Sequence, residues 1–205
     1  MKKLLIFPLN GNAIEALSCI SGQYELIGFV DDSEEKQNKK FFGYRVFGRD
    51  ALKKYHEAEV LALPGNPLNY RQRKEIIGSL GINKERFAKV FHSSSVVSPL
   101  SEIGFNSLLM AGVVITGNSV IGNHVCILPG SVIHHDTRIG DYALIGSNVT
   151  ISGCTVIGEN CYIGSGSNVI NNISIGDNTL IGLGSNVISS IKENSKAAGN
   201  PAKYL

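Results

Sequence analysis

Tryptophan is absent from the 205 residues, aromatic side chains make up only 7%, and neither sign of charge prevails, with 19 Lys and Arg against 17 Asp and Glu. A core must therefore be assembled from aliphatic and small side chains. No block of like charge exists to grip a phosphate backbone, so nucleic acid is not an expected partner. No apolar run approaches the roughly 18 residues of a membrane span, so no membrane partner is expected either. The start Lys2-Lys3-Leu4-Leu5-Ile6-Phe7 imitates a signal peptide, but Pro8 and Asn10 interrupt it and no small-residue cleavage pattern follows. A cytoplasmic protein is the expectation. Cys19, Cys126, Cys154 and Cys161 form no C-x-x-C pair. Reduced, mostly buried thiols are expected, with neither disulfides nor metal.

What the chain does have is a repeat. Every sixth residue from Ile103 through Ile115, Ile127, Ile139, Ile151, Ile163 and Ile175 to Val187 is aliphatic, fifteen positions without a gap. Four residues after each comes a mostly small or β-branched side chain, as at Ser107, Val113, Ser119, Val125 and Ser131. Period six suits neither a 3.6-residue helix nor plain strand alternation. A slower period lies over it: Gly104, Gly122, Gly140, Gly158 and Gly176 recur every eighteen residues, whereas the column Thr116, His134, Ser152, Ile170 and Ile188 never holds glycine. Hexads therefore come in threes. Three sides per turn predict a triangular solenoid whose coils stack at the inter-strand spacing of about 4.8 Å. Glycine, Asn and Asp are expected to relieve the backbone at its corners.

The first half reads differently. Lys3–Phe7, Tyr24–Val30 and Glu59–Leu63 are strand-like, Asn10–Ser21 and Pro67–Leu80 are helix-like, and Gly43–Gly48 is a short edge element. Alternating strands and helices predict a small parallel sheet with Rossmann-like winding over residues 1–86, followed by the solenoid over 87–205. Ligands of such sheets sit beyond the carboxyl ends of the strands. Asn10, Gly11 and Asn12 at a helix start, Asp31 and Asp32 after the second strand, and Gly65 after the third converge there. A small nucleotide-like ligand is the expectation, with helix amides for phosphate and an Asp for ribose or base. The G-x-G-x-x-G fingerprint is absent, which disfavours a dinucleotide.

The runs Ile121-Gly122-Asn123-His124-Val125-Cys126 and Ile157-Gly158-Glu159-Asn160-Cys161-Tyr162, with the tail Gly199-Asn200-Pro201-Ala202-Lys203, resemble the hexapeptide-repeat acyltransferases. A Rossmann-like unit leading into such repeats resembles one branch of that family, the sugar acetyltransferases of the NeuD and PglD type. The resemblance implies a left-handed parallel β-helix, a homotrimer, acetyl-CoA as acyl donor and a nucleotide-linked sugar in the N-terminal pocket. Pro8, Leu9 and Ala13 stand where relatives are commonly glycine-rich.

Acyl transfer from a thioester to an amine or hydroxyl needs a base near neutral pKa, and histidine is the usual solution. His56 and His92 read as solvent-facing, His124 as a structural corner residue. His135 differs: the eighteen-residue stacking places Gly117 above it and Gly153 below, leaving space beside the ring, and Asp136 follows to orient it. The resemblance names His135 as general base and Asp136 as the residue raising its basicity. It aims the Gly153 N–H at the thioester oxygen and assigns Leu144, Ser165 and Leu183 to the acetyl-CoA groove. His134 stands where relatives usually have Glu, and Leu128 where many have Asn. N-acetylation of a nucleotide-activated amino sugar for surface glycans is the leading expectation. O-acetylation of a sialic or related sugar and a non-catalytic β-helical scaffold are the alternatives.

Overall fold

Strand and helix segments alternate at the start of the chain and wind into a parallel sheet. In the computed structural model, which describes residues 1–205, β1 (Lys2–Phe7), β2 (Tyr24–Val30), β3 (Lys40–Phe41), β4 (Tyr44–Phe47) and β5 (Glu59–Ala62) lie in the order β3-β4-β2-β1-β5. All neighbours are parallel except the hairpin β3–β4. The element expected at the edge over Gly43–Gly48 is thus β4, inside the sheet, and β3 takes the edge.

Both expected helices are shorter than their apolar patterns. α1 covers Gly11–Glu15 and passes into a 3-10 turn over Ala16–Ser18. Ala13, Ala16 and Cys19, spaced by three, are all buried, which suits the three-residue turn of a 3-10 helix. In the second segment α-helix is confined to Arg73–Gly78, because the Asn66 and Asn69 side chains accept from the backbone amides of Leu68 and Asn66 and hold the preceding residues in turns. The helix between them, Asp50–Lys54, carries no signal strong enough to be expected from sequence. In chain order these are α1, α2 (Asp50–Lys54) and α3 (Arg73–Gly78).

From Val96 to Val187 strands of two or three residues recur every six residues in three sheets, parallel throughout this span. We call the sides carrying Ile103, Leu109 and Ile115 faces I, II and III. Register is eighteen residues on each, as in Ile121↔Ile139, Ile127↔Ile145 and Ile115↔Ile133. Each aliphatic residue therefore stacks on its equivalent in the next coil, and the ladder fills the prism axis. Corner hydroxyls close their own hydrogen bonds: Ser119 Oγ donates to His134 O at 2.8 Å and Ser131 Oγ to Gly146 O at 2.7 Å.

Every sixth residue from Asn106 to Gly184 has left-handed φ, and Asn holds six of those fourteen positions. The glycines of the eighteen-residue columns do a different job from the one expected. A Cβ on Gly140 would stand 2.6 Å from the Glu159 backbone nitrogen, so glycine there permits close stacking of coils rather than an unusual φ.

The two halves share a core. Leu108, Met110, Cys126 and Leu144 on the outside of face II pack against Leu4, Ile6, Phe29 and Leu61 of the sheet and Ala13, Ala16 and Cys19 of α1. Ala88 N–H still donates to Val60 O at 2.9 Å, and the strand continues as β6 (Lys89–Phe91) to pair with Ser107–Leu109. The expected boundary between 86 and 87 falls at the start of this shared segment. With face II covered, the corner joining faces III and I, where His135 stands, lies on the opposite side of the prism.

Candidate active site

A cleft of about 540 Å³ opens beyond the carboxyl ends of β1, β2 and β5, and Asn10, Gly11, Asn12, Asp31, Asp32 and Gly65 all line it. Asn10 caps α1, its Oδ1 accepting from Ala13 N–H at 2.9 Å, and its amide donates to Leu63 O at 2.9 Å. The Gly11 and Asn12 amides occupy the first turn and have no intrahelical acceptor.

The two aspartates are not the free ribose acceptors that sequence suggested. Asp31 is buried; its carboxylate accepts from Leu9 N–H and Ser33 N–H, each at 2.9 Å, and pairs with Lys36 at 3.1 Å. It braces the loop after β1. Asp32 is held by Arg49 through two hydrogen bonds of 2.6 and 2.8 Å. Lys36 and Arg49 bring the cations to the cleft. Sequence reasoning missed both, since a Lys in a polar loop and an Arg after a short strand carry no spacing signal.

Arg73 was missed as well. It is fully buried and faces no carboxylate; its guanidinium donates to the carbonyls of Pro64, Tyr142 (2.8 Å) and His124 (2.6 Å), tying the cleft wall to the β-helix. Burial pushes its pKa down to about 10. Gly65 follows from this packing, because a Cβ there would lie 2.9 Å from the Arg73 stem. His124 is structural, as expected: its ring stacks on Tyr142 at 4.6 Å and its Nδ1 accepts from Asn106 at 2.9 Å. Burial, with the Arg73 cation adding to it, pushes His124 down to about 4.

On the opposite corner His135 and Asp136 project into solvent, with His135 Nδ1 and Asp136 Oδ2 2.7 Å apart. Asn118, one coil earlier, donates to the other carboxylate oxygen. These two hydrogen bonds, that of His135 foremost, hold the Asp136 carboxyl below its ordinary value. The space around the imidazole is one-sided. Gly117 leaves one flank open, but the ring lies on Gly153, where a Cβ would meet Cε1 and Nε2 at 2.7 Å. Gly153 N–H has no acceptor within the chain.

The residues assigned to the acetyl-CoA groove separate. Leu144 is a correction: only 3% exposed, it packs in the core between the two halves, since face II is where the N-terminal sheet docks. Ser165 and Leu183 stand on the corner between faces II and III, Leu183 71% exposed and Ser165 Oγ accepting from Ser147 N–H at 3.0 Å. Neither shares a corner with His135 in the same chain.

A prism of stacked hexads bearing such a pair on one ridge resembles the hexapeptide-repeat transferases. The family described as Bacterial transferase hexapeptide (six repeats) matches residues 101–134 and 118–153, and Hexapeptide repeat of succinyl-transferase matches 172–192. A search of the curated proteins finds no match. Among solved structures, PerB from Caulobacter crescentus in complex with CoA and GDP-perosamine is similar over 100% of this chain and 97% of its own, with TM-score 0.87 and 25% identity. The acetyltransferase domain of PglB from Neisseria gonorrhoeae in complex with acetyl coenzyme A is similar over 100% and 99%, with TM-score 0.87 and 27% identity. WeeI from Acinetobacter baumannii shares the fold at 23% identity and TM-score 0.85, over 100% of both chains. The architecture is the left-handed β-helix with a Rossmann-like N-terminal part, and the chain is an acyltransferase similar to the sugar acetyltransferases of the NeuD and PglD type.

Proposed function

We propose that the protein transfers the acetyl group of acetyl-CoA to the amino group of a nucleotide-linked amino sugar in the cytoplasm, for surface-glycan synthesis, with His135 as general base. The observation that carries this reading is the contact between His135 Nδ1 and Asp136 Oδ2 at 2.7 Å. It orients the ring so that Nδ1–H donates to the carboxylate and the Nε2 lone pair is free to take a proton. The attacking amine loses that proton as it adds to the thioester carbon, and CoA leaves as the thiol. Gly153 N–H, which has no acceptor in the chain, supplies a donor for the negative charge gathering on the carbonyl oxygen. With donor and acceptor held together, direct attack needs no covalent enzyme intermediate. Two solved relatives that match across this whole chain hold CoA with GDP-perosamine and acetyl coenzyme A, respectively.

The nucleotide cleft and His135 lie on opposite sides of one chain, so one copy does not bring sugar and base together. A cyclic trimer does, placing the cleft of one protomer beside the ridge of the next. Faces I and III, free of the N-terminal half, carry exposed Val96 and Val156, and Ile170 and Ile188 flank the ridge between them. Such apolar strips are what neighbouring copies cover.

The test is acetyl transfer from acetyl-CoA to a panel of GDP-, UDP- and dTDP-linked amino sugars, followed by CoA release, with sedimentation for the oligomer. Turnover with an amino sugar, its loss in His135→Ala and an intact trimer are expected. Turnover only with hydroxyl acceptors, or full activity of His135→Ala, overturns the reading.

A further inference from the structure

The ridge carries one more donor that acetyl transfer does not use. Its left-handed corner positions run Asn118, Asp136, Cys154 and Asn172, eighteen residues apart. Asn118 donates to the Asp136 carboxylate from one side, whereas the coil on the other side presents the only exposed thiol of the four cysteines. Cys154 Sγ makes no hydrogen bond there. One ligand atom each from His135, Asp136 and Cys154 lie within 4.8 Å of one another, and all three side chains are open to solvent. Bonds of about 2.0–2.3 Å to a tetrahedral Zn²⁺ separate its ligand atoms by roughly 3.5 Å. Side-chain rotation therefore suffices to bring these three onto one ion.

We propose that His135, Asp136 and Cys154 form a binding site for a zinc-like divalent transition metal, with its fourth position open to solvent, and that occupancy silences acetyl transfer. Thiolate, imidazole and carboxylate together form a donor set suited to Zn²⁺, whereas Mg²⁺ and Ca²⁺ favour oxygen alone. Binding converts the Cys154 thiol to thiolate and releases its proton to solvent. It also engages the imidazole and its carboxylate, so the metal competes with the proton that His135 must accept. The silencing, though not the binding, rests on His135 being the base. Chain spacing hides such a site, because Asp136 and Cys154 meet only through the pitch of the coil.

The experiment titrates the full-length, chelator-treated protein with Co²⁺ as a spectroscopic substitute for Zn²⁺. One thiolate-to-cobalt absorption band per chain is expected, displaced by Zn²⁺ and lost in Cys154→Ser. Zinc affinity of that variant should fall by more than the roughly 10–100-fold typical of losing an outer-shell partner. In chelator, Cys154→Ser retains acetyl transfer, and it escapes the inhibition that Zn²⁺ imposes on the parent protein. Absence of the band, or a band that survives in Cys154→Ser, overturns the site; equal zinc inhibition of both proteins overturns the silencing. A cobalt band that depends on Cys154 in a protein with no acetyltransferase activity upholds the metal site and defeats the base assignment.

Discussion

The His135 imidazole rests on the bare backbone of the next coil, where a methyl on Gly153 would stand 2.7 Å from its Cε1 and Nε2. Gly153→Ala therefore has to tilt the ring away from its present line. A misplacement of about 1 Å at the reacting atoms costs about 100-fold in rate. We expect kcat to fall by about that factor, with melting temperature nearly unchanged because His135 is exposed and can move. A variant with unaltered kcat would show that ring position is immaterial.

Asp136 holds the imidazole from the other side and stays ionised well into acid, since His135 and Asn118 both stabilise its carboxylate. In Asp136→Asn the Nδ1–H loses its anionic acceptor, and the amide group favours the wrong tautomer by donating to Nδ1. The expected result is a kcat reduced within the roughly 10²–10⁴-fold range of general base catalysis, with KM for acetyl-CoA little changed. Steady-state kinetics separate the two parameters.

Arg73 is the joint between the cleft wall and the β-helix. Arg73→Ala leaves carbonyls of Pro64, His124 and Tyr142 without their donor and opens a cavity. The loss should exceed about 3 kcal/mol and lower the melting temperature by roughly 10 °C. Calorimetry should give a single transition in the parent protein, because the two halves share one packed interface; separate melting of the halves would contradict that.

His124 sets an acid limit on stability. Its folded pKa of about 4 lies below the 6.5 of the free side chain. Between those values the unfolded chain binds more protons than the native one, so stability rises with pH across that window. The contribution is present above pH 6.5 and lost as pH falls towards 4, on the order of 3 kcal/mol in all. Melting temperatures measured from pH 7 to pH 4.5 should drop in the parent protein and drop less steeply in His124→Phe.

The solenoid was legible along the chain because each six-residue side repeats the same physical demand. An aliphatic residue must fill the axis, a small one must fit the corner, and a left-handed φ must be accepted, by Asn, Asp or Gly at all but His124, Tyr142 and Cys154 of the fourteen positions from Asn106 to Gly184. Tertiary contact cannot override a pattern satisfied fifteen times. The N-terminal elements were legible only in type, since α1 stops where packing of Ala16 and Cys19 favours a tighter turn, and α3 starts late because the Asn66 and Asn69 side chains hold the residues before it in turns. His135 and Asp136 stood out as neighbours in sequence beside a glycine column. The cations of the cleft, Lys36 and Arg49, did not, because their pairings with Asp31 and Asp32 follow no recurring spacing and the residues are ordinary in type.

Local order thus dictated the winding of the prism, the small parallel sheet and the segments that meet at the cleft, all of which depend on residues close together or regularly spaced. The fate of individual side chains was settled by which surfaces came to face one another. Docking of the sheet on face II buried Leu144, enclosed Arg73 and left His135 on the far corner, while the loops after β1 and β2 withdrew Asp31 into a brace. The coil pitch brought Cys154 against Asp136. Such outcomes depend on long-range packing and desolvation, whose energies arise only when distant parts of the chain touch.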